Sequence, residues 1–253
     1  MNTMRTFGAA ATVLVLASVS LASAQQQPPP ATPSSGAMPF GGKAFVNVNV
    51  GVQTRSSTLN NDFSFPIYGE TATVTTSASV GRGPLFDLSG GYRITPSFGV
   101  ALGYSHFSTS GTAQGAASVP NPLFFDRHAA VAINAVDVKR SDGNVYFLLL
   151  GFMPVGEKME LSMFLGPSIT RVHQELIADV SVPAGTQNVA STIQDESGTA
   201  KGVNIGADLA YQFQEQLGAG VFLRYNGASV DLGPVKDVKV GGLQLGIGAR
   251  VRF

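Results

Sequence analysis

Residues 242–253, GLQLGIGARVRF, end the chain on an aromatic side chain and follow a two-residue alternation. Successive residues of a β-strand point to opposite faces of a sheet, so every second residue shares a face. One face is wholly apolar and consists of Leu243, Leu245, Ile247, Ala249, Val251 and Phe253. The other face carries Gln244, Gly246, Gly248, Arg250 and Arg252. The pattern predicts either a strand of a half-buried sheet or a strand between lipid and a polar lumen.

The same alternation opens the folded part of the chain. Four valines, at positions 46, 48, 50 and 52, alternate with Asn47, Asn49, Gly51 and Gln53. In a closed barrel the first and last strands pair with each other. Two strands with matching faces at opposite ends of the chain therefore predict closure.

Three hairpins are predicted between these two strands. They pair residues 84–94 with 98–108, residues 144–155 with 159–176, and residues 201–213 with 217–229. Their short turns contrast with long polar segments at residues 56–83, 109–143 and 183–198. Short turns at one end and long loops at the other are typical of outer-membrane barrels, so we expect about eight strands of about 10 to 13 residues.

Two further segments, residues 70–80 and 128–139, also look extended. We interpret them as strand extensions above the membrane, and the alternative is a barrel of about ten strands. The face assignment of residues 145–153 is ambiguous, because this run is apolar at nearly every position. Aromatic residues suggest two interfacial girdles, with Tyr92, Phe98, Phe152, Tyr211, Phe213 and Phe253 at the turn end and Tyr104, Tyr146 and Tyr225 at the loop end.

These residues resemble the outer-membrane β-barrel proteins of Gram-negative bacteria, whose last strand commonly ends on Phe after alternating apolar residues. The small barrels similar to OmpA and OmpX fit best. The resemblance implies an all-β, antiparallel, up-and-down transmembrane barrel over residues 43–253. It also implies that the outer-membrane assembly machinery reads Ala249, Val251 and Phe253.

Composition and the first residues agree with export. Charged residues make up 13% of the chain, the formal net charge is zero, and there is no Cys. Residues 1–24 have the positive, apolar and small-residue regions of a signal peptide, so we expect cleavage after Ala24. Residues 25–42 are rich in Pro and polar residues and are predicted to be a linker. No later segment has the roughly 20 apolar residues of a spanning helix.

The alternation also predicts a set of charged residues that point into the lumen. They are Asp87, Arg93, Glu160, Asp208, Arg224, Arg250 and Arg252. An unpaired charge in a narrow interior is costly, so we expect these acids and bases to pair, to fill the barrel and to fix its register. Hydration of each charge in a water-filled lumen is the alternative.

No catalytic motif is found in the sequence. Ser105 with His106, and His173 with Glu175, are the weak candidates for catalysis. We therefore expect a monomeric, non-enzymatic barrel without cofactor or metal and without a nucleic-acid partner. We expect it to contact outer-membrane lipid, the assembly machinery and, through its loops, an extracellular ligand. The alternatives are a barrel enzyme acting on lipid and a secreted barrel that binds a small apolar ligand, which would need an apolar interior and a polar exterior.

Overall fold

The computed structural model describes residues 42–54, 57–182, 190–232 and 235–253. The predicted signal peptide and the linker up to residue 41 lie outside the described residues. Ten strands are assigned: β1 (Ala44–Gln53), β2 (Ser57–Ile67), β3 (Glu70–Val80), β4 (Gly83–Arg93), β5 (Phe98–Pro120), β6 (His128–Pro154), β7 (Met159–Ser181), β8 (Ala190–Gln212), β9 (Leu217–Leu232) and β10 (Val235–Arg252). No helix in these ranges is long and apolar enough to cross a membrane.

Eight of the strands form a closed antiparallel ring. The neighbours run β5, β4, β1, β10, β9, β8, β7 and β6, and β6 returns to β5. The first and last strands pair from Phe45 opposite Arg252 to Gln53 opposite Gln244. The predicted eight-stranded barrel, and its closure through β1 and β10, are therefore confirmed.

The other two strands, β2 and β3, lie above the ring. The lower part of β5, from Gly99 to Phe107, pairs with β4, whereas its upper part, from Gly111 to Ser118, pairs with β3. The hairpin of β2 and β3 thus continues the wall of the barrel upward. This arrangement confirms the interpretation of residues 70–80 as a strand extension and explains why a count of ten strands was a plausible alternative.

The predicted short turns are also found. β4 and β5, β6 and β7, and β8 and β9 are joined by four residues each. The backbone N–H of Phe213 donates to the carbonyl of Leu217 at 3.2 Å, and that of Ile94 donates to the carbonyl of Phe98 at 3.0 Å. All three turns lie at the same end of the ring.

Strand length at the other end was predicted wrongly. Strands β5, β6, β7 and β8 have 23 to 27 residues rather than 10 to 13. Residues 109–120 and 140–143, read as a polar loop, belong to β5 and β6, and residues 190–198 belong to β8. Their Ser, Thr and Gly residues alternate with small apolar ones, which is the pattern of a strand with one face in water. Residues 128–139 extend β6, as they were interpreted.

Strand β5 shows how the barrel changes character along its length. Even-numbered residues face outward from Phe98 to Ala116. The outward side chains are apolar at Leu102 and Tyr104 and polar at Ser108, Ser110 and Thr112. The inward side chains change in the opposite sense, from Ser105 to Ala113, Ala117 and Val119. The backbone alternation is unbroken while the chemistry of the two faces is exchanged.

Two levels follow from this exchange. The lower level carries an apolar belt, which is the set of outward side chains Val50, Phe86, Leu88, Leu102, Tyr104, Val145, Leu149, Met163, Leu165, Val203, Ile205, Val221, Leu223, Leu245 and Ile247. A continuous exposed apolar surface of this kind is suited to lipid rather than water.

The upper level, called here the upper extension, comprises β2, β3 and the loop-side parts of β5 to β10. Its interior is one apolar cluster to which the strands contribute, among others, Leu59, Val74, Ala117, Val119, Val138, Val172, Leu176, Leu232 and Val240. The β6–β7 pairing ends at Arg140 opposite Gln174, whereas β7 and β8 stay paired up to Ser181 opposite Ala190. The upper extension is therefore held by side-chain packing across separate strand groups as well as by backbone hydrogen bonds.

Candidate functional site

The lower level encloses a polar interior that contains all seven of the charged residues predicted to face the lumen. Each is buried, with exposed fractions from 1% for Arg93 to 8% for Asp208. Several strands are needed to bring them together, because Asp87 lies on β4, Asp208 on β8, Arg224 on β9 and Arg250 on β10. Closure of the ring places these strands around one lumen.

Asp87 is the centre of the upper half of this network. Its Oδ2 accepts a hydrogen bond from Arg224 Nη1 at 2.8 Å and one from the Tyr146 hydroxyl at 2.6 Å. Its Oδ1 accepts from Asn49 Nδ2 at 2.8 Å. Three donors, one of them a guanidinium, thus satisfy the buried carboxylate. Arg224 Nε also donates to Gln244 Oε1 at 2.7 Å.

Arg250 occupies the middle of the network. Its guanidinium forms a two-pronged ion pair with Asp208, in which Nε donates to Oδ1 at 3.0 Å and Nη2 donates to Oδ2. Its Nη1 donates to Asn49 Oδ1 at 2.6 Å. Because Asn49 also donates to Asp87, the two acid–arginine pairs are joined into one chain of hydrogen bonds.

Glu160 and two arginines lie nearest the turn end. Arg93 Nη2 donates to Glu160 Oε1, and Arg252 Nη2 lies 3.8 Å from the same oxygen. Arg252 Nη1 also donates to Asn47 Oδ1 at 3.2 Å. One carboxylate therefore serves two guanidinium groups, and Asn47 supplies an additional acceptor.

Aromatic rings complete the packing of the arginines. Arg93 lies over the ring of Phe152 at 4.0 Å from the ring centroid, Arg224 over Tyr146 at 4.7 Å, and Arg252 over Phe45 at 4.9 Å. A guanidinium over an aromatic face is stabilised by the ring quadrupole. The interior therefore contains cations layered on rings as well as ion pairs.

Two of these rings correct the girdle prediction. Tyr146 and Phe152 were assigned to the interfaces, but both point into the lumen and are exposed by only 2% and 7%. They belong to a buried group with Leu148, Leu150 and Phe164. The error follows from the ambiguous run at residues 145–153, where both faces are apolar and the alternation gives no direction. The other residues assigned to the girdles, including Tyr92, Phe98, Tyr104, Tyr211 and Tyr225, are exposed on the outside.

One buried ion pair was missed by sequence reasoning. Arg140 donates to Asp142 through Nε at 3.0 Å and Nη2 at 3.1 Å, and both residues are exposed by only 4%. They lie in a segment that was read as loop, where alternation was not applied. Their spacing of two residues on one strand face is the signal that could have identified them.

Little free space is left between these side chains. A cavity of about 30 Å³ lies between the rings and the charges, with Asn49, Asp87, Tyr146, Asp208 and Arg224 in its lining. A buried water needs roughly 10 to 15 Å³ of cavity volume, so this cavity has room for about two water molecules. In the described residues, the apolar cluster of the upper extension lies above this network.

The structure separates the first weak catalytic candidate, whereas His173 and Glu175 of the second share the outward face of β7, where Glu175 accepts from the backbone N–H of Lys139 at 2.8 Å. Ser105 is buried in the lumen whereas His106 is exposed on the outer face, so the two side chains point to opposite sides of β5. His173 lies outward on β7, directly opposite Ser141 and Ser197. His128 contacts Ser118, with 3.2 Å between Nδ1 and Oγ, on the exposed surface of the upper extension. Within the described ranges no group of three His, Cys, Asp or Glu residues could hold a metal ion.

The last strand presents its three predicted recognition residues on the outside. Ala249 and Phe253 are exposed and Val251 is half-buried. The backbone of Phe253 exchanges two hydrogen bonds with Ala44, at 2.9 and 3.2 Å. These bonds close the ring at its turn end, and the Phe253 side chain lies at the lower rim with 64% of its surface exposed.

The arrangement is an outward apolar belt around an interior that carries paired acids and arginines, and it agrees with a comparison of the sequence with known families. The sequence profile described as "Outer membrane protein beta-barrel domain" matches residues 11–253. The chain belongs to this outer-membrane β-barrel family. No curated protein matches the chain.

Several solved structures are similar to this family member. Neisserial surface protein A is 14% identical, with a TM-score of 0.43 and coverage of 83% of this chain and 97% of that one. OprG from Pseudomonas aeruginosa is 17% identical, with a TM-score of 0.43 and coverage of 85% and 97%. The protease OmpT from Escherichia coli is 11% identical, with a TM-score of 0.39 and coverage of 83% and 97%. No activity is transferred to this chain from any of them.

Proposed function

We propose that this protein is a closed, non-enzymatic outer-membrane barrel that presents a rigid β-structure at the cell surface for interaction with an extracellular partner. The observation that carries this proposal is the filled interior. The acids and arginines of the lumen are paired with one another, and the upper extension has an apolar core. Because packed side chains occupy the interior of both levels, a structural role is favoured over transport.

The plug has two parts with different chemistry. The lower part is a network of charges that costs free energy unless every member is paired, so it favours one register of the strands. The upper part is packed from small apolar side chains, which exclude water. An ion crossing the barrel would have to disrupt the charge network of the lower part and lose its water in the apolar upper part. We therefore infer that the barrel does not conduct.

Conductance in planar lipid bilayers tests the closed barrel. The purified protein is expected to insert without stepwise currents of nanosiemens size, because an eight-stranded barrel has an interior that side chains can fill. The difference in gel migration between unheated and boiled samples verifies that the barrel in the same preparation is folded. Regular nanosiemens steps from correctly folded protein would contradict the proposal.

We further propose that the protein reaches the outer membrane after signal-peptide cleavage following Ala24, and that the assembly machinery reads its last strand. The exposed positions of Ala249 and Phe253 on the outer surface support recognition of these side chains by another protein. Sequencing of the N-terminus of the protein purified from outer membranes tests the cleavage position.

Deletion of Phe253 separates recognition from stability. The deletion removes an exposed rim side chain and two backbone hydrogen bonds, so we expect the barrel refolded in detergent to lose only about 1 to 3 kcal/mol. Assembly in cells is expected to fall by a much larger factor. Heat-modifiable protein in isolated outer membranes and denaturant unfolding in detergent are measured side by side. Proportionate losses in the two assays would assign Phe253 a purely structural role.

A further inference from the structure

The hairpin that joins β5 to β6 ends in an exposed apolar tip. Residues 121–127 read NPLFFDR, and Leu123, Phe124 and Phe125 are exposed by 81%, 58% and 76%. Single exposed apolar residues are ordinary on protein surfaces, but three in succession at the end of a hairpin are an interaction signal. The outward residues of the strands below are mainly polar, as at Ser110 and Thr112.

Hydrogen bonds hold this tip in one conformation. Asn121 Oδ1 accepts from the backbone N–H of Leu123 at 2.9 Å and of Phe124 at 3.2 Å. The N–H of Asn121 donates to the carbonyl of Arg127 at 2.7 Å, and the N–H of Asp126 donates to Glu70 Oε1 at 2.7 Å. The apolar side chains are therefore presented without a further cost of ordering the loop.

The turn between β2 and β3 supports the tip from the side. Glu70 begins β3 and provides the acceptor for Asp126. Gly69 precedes it with a φ of 79°, and a Cβ at this position would lie 3.6 Å from the ring of Phe125. The two hairpin ends thus meet at the top of the upper extension.

The tip is too far from the apolar belt to reach the bilayer that holds the barrel. Between His106, where the outward face of β5 stops being apolar, and Pro120, a strand rising about 3.3 Å per residue at a tilt of about 40° climbs roughly 35 Å. The apolar side chains therefore face a second surface that approaches the cell from outside.

We propose that Leu123, Phe124 and Phe125 insert into an apposed lipid bilayer. The proposal rests on the surface-interaction function given above and names its partner. The tip is convex, and a fluid bilayer accepts any convex apolar shape, whereas a protein would need a matching pocket.

Most N–H groups of the tip already have hydrogen-bond partners, which lowers the cost of entering hydrocarbon. An N–H group that enters lipid without a hydrogen-bond partner is strongly unfavourable. The N–H groups of Leu123, Phe124 and Asp126 already donate within the protein. Pro122 has no N–H group to satisfy.

Charge next to the tip predicts the lipid preference. Asp126 and Arg127 follow Phe125 and carry opposite charges, and Arg127 lies 5.7 Å from the ring centroid of Phe124. Glu70 beside the tip adds a second carboxylate, so the flank does not attract anionic headgroups. Binding therefore arises from burial of apolar side chains and is expected to be no stronger for anionic than for zwitterionic vesicles.

The test uses the full protein in nanodiscs and protein-free phosphatidylcholine vesicles. Flotation with the vesicles measures partition. Replacing all three tip residues with Ser is expected to lower partition at least 100-fold, since burial of each large apolar side chain contributes about a factor of ten. Ile193→Ser is the matched control, because Ile193 is an exposed apolar residue of the upper extension outside the tip, and it should leave partition unchanged.

A fluorescence variant keeps the test independent of the triple substitution. The chain contains no Trp, so Phe124→Trp introduces a single reporter. Its emission is expected to shift to shorter wavelength on addition of vesicles and to be quenched by brominated acyl chains. Gel migration before and after boiling verifies that each variant is folded.

Other outcomes would overturn the proposal. Equal partition of the wild type and the triple variant, with no spectral shift of Phe124→Trp, would show that the tip does not enter lipid. Binding to cell envelopes that protease treatment abolishes would assign the tip to a pocket of a protein. Self-association lost in the triple variant, without vesicle binding, would assign it to a second copy. Conductance is measured separately, so failure of the closed barrel is distinguished from failure of the tip.

Discussion

Replacing Arg250 with Met should lower the free energy of unfolding in detergent by about 3 kcal/mol. Arg250 provides two of the hydrogen bonds that satisfy Asp208 and a third to Asn49. Methionine leaves the carboxylate buried and without its cation, and the cost of a buried charge that has lost its partner exceeds the value of the pair itself. Denaturant unfolding followed by tyrosine fluorescence or by gel migration measures the loss.

Two control variants identify the cause of that loss. Lys239→Met removes a cation from an ion pair with Asp237 that is mostly exposed, and it should change stability by less than about 0.5 kcal/mol. The double variant Arg250→Met, Asp208→Leu removes both charges and should recover much of the loss, because apolar pairs of similar volume often replace buried ion pairs without penalty. If the single variant Arg250→Met is as stable as the wild type, the proposed network does not stabilise the barrel.

We expect the network to favour one strand register over its neighbours. A slip of one residue moves every inward side chain to the outside. Such a slip at β10 would place Arg250 against lipid and Ala249 against Asp208, at a cost in both places. The hydrogen bonds from Asn49 on β1 to Asp87 on β4, and from Arg250 to Asn49, extend this control across three strands.

The ring could be predicted from sequence because the side chains of the belt are apolar, whereas many of those that face the lumen are polar or charged. Alternation in β1, β4 and β10 is strong enough to fix which side chains face inward, and the inward positions of Asp87, Arg93 and Arg250 follow from it. Sequence position indicates only the approximate height of each charged residue in the barrel, and height alone does not determine which acid pairs with which arginine. Contacts such as the one between Asp87 and Arg224 join residues far apart in the sequence and depend on the closed ring.

Part of the upper extension was difficult to predict for a physical reason. Its outward side chains are polar and many of its inward ones are small, so that segments such as residues 109–120 of β5, TSGTAQGAASVP, have the composition of a loop. The alternation continues, apart from bulges such as those in the β5–β6 and β7–β8 pairings, but the apolar face is now the inner one. Arg140 and Asp142 were overlooked for the same reason. A reading that allowed the two faces to exchange chemistry midway along a strand would have found both.

An Ile247→Arg substitution should destabilise the barrel in lipid by about 2 to 4 kcal/mol, although Ile247 has 62% of its surface exposed. On a protein surface in water, a change at such a position is usually worth less than about 0.5 kcal/mol. Ile247 lies in the middle of the belt, opposite Val50 on one side and Val221 on the other. An arginine there has no nearby headgroup, and the cost of a cation on the lipid face is largest near the bilayer midplane.

The matched variant is Thr73→Arg, which places the same side chain outward on β3 of the upper extension. Thr73 is exposed and lies opposite Ser64 and Ser118, so neither residue directly across from the arginine carries a charge. Unfolding of both variants in phospholipid vesicles should show a large loss for Ile247→Arg and almost none for Thr73→Arg. Equal losses of stability would mean that both positions face the same environment. The division of the barrel into a lipid level and a water level would then be wrong. A loss of stability for Ile247→Arg alone would mean that the membrane ends where the outward side chains of the strands change from apolar to polar.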